Sequence, residues 1–144
     1  MYRVGAFNII KQGQTVLLVK RQDIPFWDLP GGIREIGETT VECLQREALE
    51  ETGLQISAGK KVGNFINYER QDKQVVYCSS IVGGKLISAG AETKQINYFP
   101  INKLPINLVP NRKHQIELAF ENKPTLDEEI HESKLTMWFR RMIS

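Results

Sequence analysis

The chain has 144 residues, the size of one domain, with 41% hydrophobic and 25% charged residues, proportions that argue against disorder. A net charge of +2 gives no case for a general nucleic-acid binder. No apolar run approaches the roughly 20 residues that cross a bilayer, and the amino terminus has no signal-peptide layout, so a cytoplasmic protein is expected.

The first elements read as a hairpin. Tyr2 to Ile10 and Thr15 to Lys20 are β-rich and are separated by Gln12-Gly13-Gln14. Val16-Leu17-Leu18-Val19 is continuously apolar, as expected of a strand covered on both faces, and Lys20-Arg21 closes it with charge. Next comes Pro25-Phe26-Trp27-Asp28-Leu29-Pro30-Gly31-Gly32. Two prolines and a glycine pair make it a stiff loop whose last residues bring the backbone close to a ligand.

The segment Thr39 to Thr52 is expected to be helical, with Gly53 as a left-handed cap. Residues three and four apart share a helix face, so Glu47, Glu50 and Glu51 project to one side. Like charges at that range repel. A hard cation would neutralise them, and carboxylate oxygens suit Mg²⁺ or Mn²⁺. On the opposite side Val41, Leu44 and Ala48 are enough to press the helix onto a sheet. Cys43 lies one turn before Glu47. It reads as a buried small hydrophobe, or as a thiol that catches soft metals adventitiously; with Cys78 it forms no CxxC pair.

After the helix, Gln55 to Tyr68 and Gln74 to Val82 are β-like stretches around a polar turn at Glu69 to Lys73, and Gly83-Gly84 marks a turn or a strand break. Ile96 to Ile101 reads as another strand. Asn111 to Asn122 reads as a second helix with Asn111 as its cap, Ile116, Ala119 and Phe120 as its apolar stripe, and His114 on the surface of its first turn. From Thr125 to Ile143 acids come early and Lys134, Arg140 and Arg141 late, the polarity a helix dipole favours. Leu126, Ile130, Leu135, Trp138 and Met142 would be a stripe docking against the core or a dimer partner.

The spacing across the first helix is specific. It runs Gly32, five residues, Glu38, seven residues, Arg46-Glu47, Ala48, Leu49, Glu50-Glu51, Thr52, Gly53, Leu54. In this it resembles the signature of the Nudix hydrolases, every fixed position of which is filled. Trp27 and Leu29 to Gly32 extend the resemblance upstream, and Glu92, Tyr98-Phe99 and Leu104-Pro105 fit it more loosely. The resemblance implies one Nudix domain over residues 1–144, with a mixed β-sheet between helices in an α/β/α sandwich. It further implies cleavage of a nucleoside diphosphate linked to another moiety, NDP-X, to NMP and phospho-X. A pyrophosphate is polyanionic and repels hydroxide, so this chemistry needs cations that neutralise its oxygens and acidify water.

By the same resemblance Glu47 and Glu51 are the leading metal ligands, with Glu50 shared between metal binding and deprotonating water. The Gly31 carbonyl completes the metal shell, Gly31 and Gly32 approach substrate, and Arg46 pairs with a carboxylate and orients it. Glu38 is both an acid at the helix start and a member of the Arg46 network. Arg21 either meets substrate phosphate or is a solvated strand end, and Glu92 either adds a ligand or base or is a loop acid. The expected partner is a small nucleotide derivative, with the protein a monomer or homodimer away from membranes. The alternative is a regulatory domain that binds nucleotide without cleaving it. X is not legible in these residues.

Overall fold

The hairpin forms from β1 (Arg3–Gln12) and β2 (Thr15–Arg21), and Gly13 takes the positive φ of 60° that its tight turn requires. This is seen in a computed structural model that describes residues 1–22, 24–87 and 93–131, apart from the side chains of 93 and 94. Only Lys11↔Val16 and Gln12↔Thr15 are paired before the two strands part. Further elements are β3 (Trp27–Asp28), β4 (Gly31–Ile33), α1 (Thr40–Thr52), β5 (Leu54–Asn67), β6 (Asp72–Gly84), β7 (Thr93–Pro100), α2 (Arg112–Phe120) and β8 (Leu126–Glu129).

β1 pairs with β6 in parallel from Arg3↔Asp72 to Ile10↔Ser79, and with β4 antiparallel at Gly5 to Phe7. β5 lies antiparallel to β6, and β8 adds in parallel along Gly63 to Ile66. β2 runs between β3 and β7, antiparallel to both. The sheet is therefore mixed.

Strand alternation sorts the core onto two faces. Ala6, Ile10 and Leu17 pack with Cys43, Leu44 and Ala48 of α1, while Phe7, Ile9, Val16 and Leu18 pack with Ile116 and Ala119 of α2. The two helices thus cover opposite sides, giving the expected α/β/α arrangement. All four residues of Val16 to Val19 are buried, as expected of a strand between two layers. No helix among the described residues is long and apolar enough to cross a membrane.

Three expectations need correction. Val41, in the first turn of α1, is 39% exposed, and Cys43 takes its place in the anchor. Asn111 has φ 75° and caps nothing with its side chain, which instead donates to the His131 carbonyl at 3.3 Å. The segment after Pro124 opens as the strand β8, because Leu126, Glu128 and Ile130 alternate inward at period two along the otherwise open edge of β5. The Ile130 amide continues that pairing to the Ile66 carbonyl. Leu135, Trp138 and Met142, with the late basic residues, lie outside the described residues.

Candidate active site

The site is built on α1, whose ends are fixed by local chemistry. Thr39 Oγ1 accepts the Glu42 amide at 3.1 Å while Glu42 Oε1 accepts the Thr39 amide at 2.9 Å, a reciprocal cap. At the other end Gly53 turns left-handed at φ 81° and returns its N–H to the Leu49 carbonyl. Asn8 fixes the helix over the sheet. Fully buried, it donates to the carbonyls of Pro30 and Leu44, both at 3.1 Å, and accepts from Ser79 Oγ at 2.7 Å. One side chain thus ties strand, loop and helix together.

Arg46 stands among the acids of this face. Its Nε and Nη2 hold both oxygens of Glu38 at 2.6 and 3.0 Å, and Nη1 reaches Glu47 Oε1 at 2.6 Å and Glu50 Oε2 at 3.3 Å. Nη2 also donates to the Ile33 carbonyl at 3.2 Å, so the guanidinium fork joins α1 to β4. The Arg46 fork, helped by the Glu35 amide, pulls the Glu38 carboxyl down to about 2.

Behind Arg46 two carboxylates meet out of water. The Glu47 side chain is only 14% exposed and lies against Gly32, where an added Cβ would sit 2.7 to 2.9 Å from the Glu47 carboxyl atoms. Glu51 accepts the Gly31 amide at 3.0 Å. The Gly31 amide is free for Glu51 because the antiparallel register pairs Ala6 with Gly32 and leaves the neighbouring peptide groups pointing away from β1. Burial raises the acid strength midpoint of Glu47, partly offset by Arg46. Burial and then the charge of Glu47 push Glu51 well above the usual carboxylate range, against the opposing Gly31 amide. Each acid is thus shifted toward its protonated form by burial, and Glu51 further by the charge of Glu47.

The remaining predicted residues are placed less closely. Glu50 is turned outward, 58% exposed and bound to Arg46. Among the described residues no three acidic, histidine or cysteine side chains already form a cage for an ion. Arg21 is exposed at the end of β2, next to a bulge and opposite Thr93 where the chain enters β7. Glu92 lies outside the described residues. Cys43 is fully buried with its Sγ 3.6 Å from the Gly32 carbonyl, and burial pushes its thiol up to about 12.

The donor set fits a divalent cation. It offers hard anionic oxygens, and its two buried like charges are costly until a positive charge offsets them. The missing side chain at Gly32 leaves the Glu47 carboxyl room that any Cβ would take.

Two features of this site escape sequence reasoning. Asn8 carries a faint signal, a lone amide within the apolar run Ala6 to Ile10. Arg112 carries none that α2 alone would reveal. Its side chain is 2% exposed, and it crosses to Asp28 in the loop before Gly31.

The NUDIX domain family model matches residues 1–122. A Bacillus subtilis (strain 168) protein named "Putative 8-oxo-dGTP diphosphatase" is 44% identical over 117 residues, 81% of this chain and 78% of its own. A Methanocaldococcus jannaschii protein named ADP-ribose pyrophosphatase is 35% identical over 109 residues, 71% of this chain and 64% of its own. Among solved structures, one titled as an ADP-ribose pyrophosphatase from Streptococcus suis 89-1591 superposes with a TM-score of 0.79 at 24% identity, covering 88% of this chain and 99% of that one. That likeness shows the fold. Taken with the filled signature and its geometry, these matches place the chain in the Nudix hydrolase family, as an enzyme of the pyrophosphohydrolase class.

Proposed function

We propose that the chain is a metal-dependent hydrolase that cleaves the pyrophosphate bond of a nucleoside diphosphate linked to another moiety, releasing NMP and phospho-X. The observation that carries this is the pair of acids Glu47 and Glu51 turned away from water on α1, the first braced by Arg46 and the second held by the Gly31 amide. In this reading Glu47, Glu51 and Glu50 hold Mg²⁺ or Mn²⁺, with the Gly31 carbonyl as a further donor. When bound, the cation neutralises the oxygens of the diphosphate bridge and lowers the pKa of water. Glu50, the exposed member of the trio, takes the proton from the attacking water; Glu92, outside the described residues, is the alternative base that the family resemblance offers. Arg46 and Glu38 keep Glu47 from swinging away, and Arg21 meets a substrate phosphate. A rigid helix suits this task, because phosphoryl transfer asks the protein chiefly for positioning and charge stabilisation.

The test is a substrate panel with Mg²⁺ or Mn²⁺ that includes 8-oxo-dGTP, ADP-ribose and a UDP-linked compound, with both products identified. NMP and a phosphorylated second product support the reading. Near-normal hydrolysis by both Glu50→Gln and Glu51→Gln defeats the assignment of these residues.

A further inference from the structure

The guanidinium of Arg112, the first residue of α2, is buried among polar partners and an aromatic ring. Nε donates to Asp28 Oδ1 at 2.5 Å, and Nη1 donates to Gln74 Oε1 at 2.7 Å and to Gln115 Oε1 at 3.0 Å. Its central carbon lies 3.9 Å from the centre of the Phe7 ring, a cation held on an aromatic face.

A buried charge of this kind contributes little net stability over an apolar replacement, so what it holds matters more than how strongly it holds. It holds two groups that border Gly31. Asp28 opens the short loop that ends at Gly31, and its Oδ1 also takes the Leu29 amide at 2.7 Å. Phe7 is the β1 residue paired with Gly31, and its ring packs so closely that a Cβ on Gly31 would lie 2.5 Å from it. The Gly31 amide in turn meets Glu51.

We propose that Arg112 is a positioning residue for the carboxylate pair on α1, clamping Asp28 and Phe7 so that the Gly31 peptide stays fixed against Glu51. This rests on the reading of Glu47 and Glu51 as a divalent-cation site. Arg112 touches neither the cation nor substrate. It acts from the far face of the sheet, through the loop and the β1 register.

The test is Mn²⁺ binding by calorimetry to the metal-free protein without nucleotide, with the hydrogen-exchange rate of the Gly31 amide as a second readout. Arg112→Met is expected to weaken Mn²⁺ binding about tenfold, within the range for groups that orient metal ligands, and to speed Gly31 exchange about tenfold. The double variant Asp28→Leu with Arg112→Met removes both buried charges together, a change that tends to preserve stability. It is expected to keep a wild-type melting temperature with the same loss of affinity, which a purely structural role for Arg112 would not produce. Should the double variant fold poorly, Arg112→Lys retains the charge without the fork, and is expected to weaken binding about threefold. Wild-type affinity with a protected Gly31 amide in Arg112→Met overturns the inference. Glu51→Gln separates the two levels: loss of binding there with none in Arg112→Met overturns this inference alone, and full binding there overturns the site reading with it.

Discussion

Gly32→Ala tests the site with the smallest perturbation available, one methyl group. That methyl would stand 2.7 Å from the Glu47 carboxyl carbon, where ordinary contact begins at 3.4 Å, so the carboxyl must retreat by about 0.7 Å. The obstacle is the tip of a flexible side chain, so the fold adjusts at a cost of about 1 kcal/mol. Gly32 is not among the glycines with positive φ, and the alanine regains part of that cost by restricting the unfolded chain. Catalysis has less tolerance. A misplacement approaching 1 Å costs on the order of 100-fold in rate, or about 2.7 kcal/mol of barrier. We therefore expect kcat to fall roughly 30- to 100-fold while the melting temperature moves by no more than about 4 °C. The comparison is Gly31→Ala, whose methyl would meet the Ala6 carbonyl oxygen at 2.2 Å. Backbone cannot step aside, so this variant is expected to lose about 3 kcal/mol and melt roughly 10 °C lower. Steady-state hydrolysis on the best substrate of the panel, beside thermal unfolding of both variants, decides the matter. Gly32→Ala with kcat within threefold of wild type would refute the claim that the position of the Glu47 carboxyl governs turnover.

Other perturbations read the same electrostatics. Glu47 and Glu51 both hold protons more tightly folded than unfolded, so metal-free protein should lose stability as pH rises above the ordinary carboxylate value of 4.5 toward the raised folded values. Glu51→Gln is expected to flatten that fall and to abolish stabilisation by Mg²⁺ or Mn²⁺, as followed by melting curves in chelator and in metal. Glu38 has the opposite sign. Its pKa is lowered from 4.5 to about 2, so its contribution is complete above 4.5 and is lost as pH falls toward 2. Arg46→Lys lacks the planar fork that grips both Glu38 oxygens side by side, and should return Glu38 toward 4.5 in a carboxyl NMR titration while cutting hydrolysis about 10- to 100-fold. Finally, the Cys43 thiol, buried and pushed up to about 12, should resist alkylation at pH 8 until denaturant is added, as peptide mass mapping would show.

The site helix was readable because its signals are local. Thr39, Glu42 and Gly53 mark its ends within a few residues of where they act, and 3.6-residue periodicity puts Glu47 beside Glu51. The same periodicity places Glu50 nearby without saying which way it turns. In the fold its carboxylate faces solvent and takes a 3.3 Å bond from Arg46. Arg112 was invisible for a related reason. Its partners Asp28 and Gln74 are 84 and 38 residues away, and no repeat in the chain records that they meet. The strand β8 was misread because four residues are too few for period two to stand out against a following run of charges. Its alternation acquires meaning only once the edge of β5 is there to receive it.

The parallel pairing of β1 with β6 has a consequence for how the enzyme becomes competent. Arg3 and Asp72 are neighbours in space, yet α1 and all of β5 intervene along the chain. That closure confines many residues before any contact rewards it, the situation in which folding is slowest. Asn8 draws its Ser79 bond from the same junction, so the anchoring of the helix waits on it. A nascent chain that ends before Asp72 has every acid from Glu38 to Glu51 already synthesised and lacks the strand that completes the sheet beside β1. Competence therefore arrives no earlier than β6, long after the acids themselves have been made.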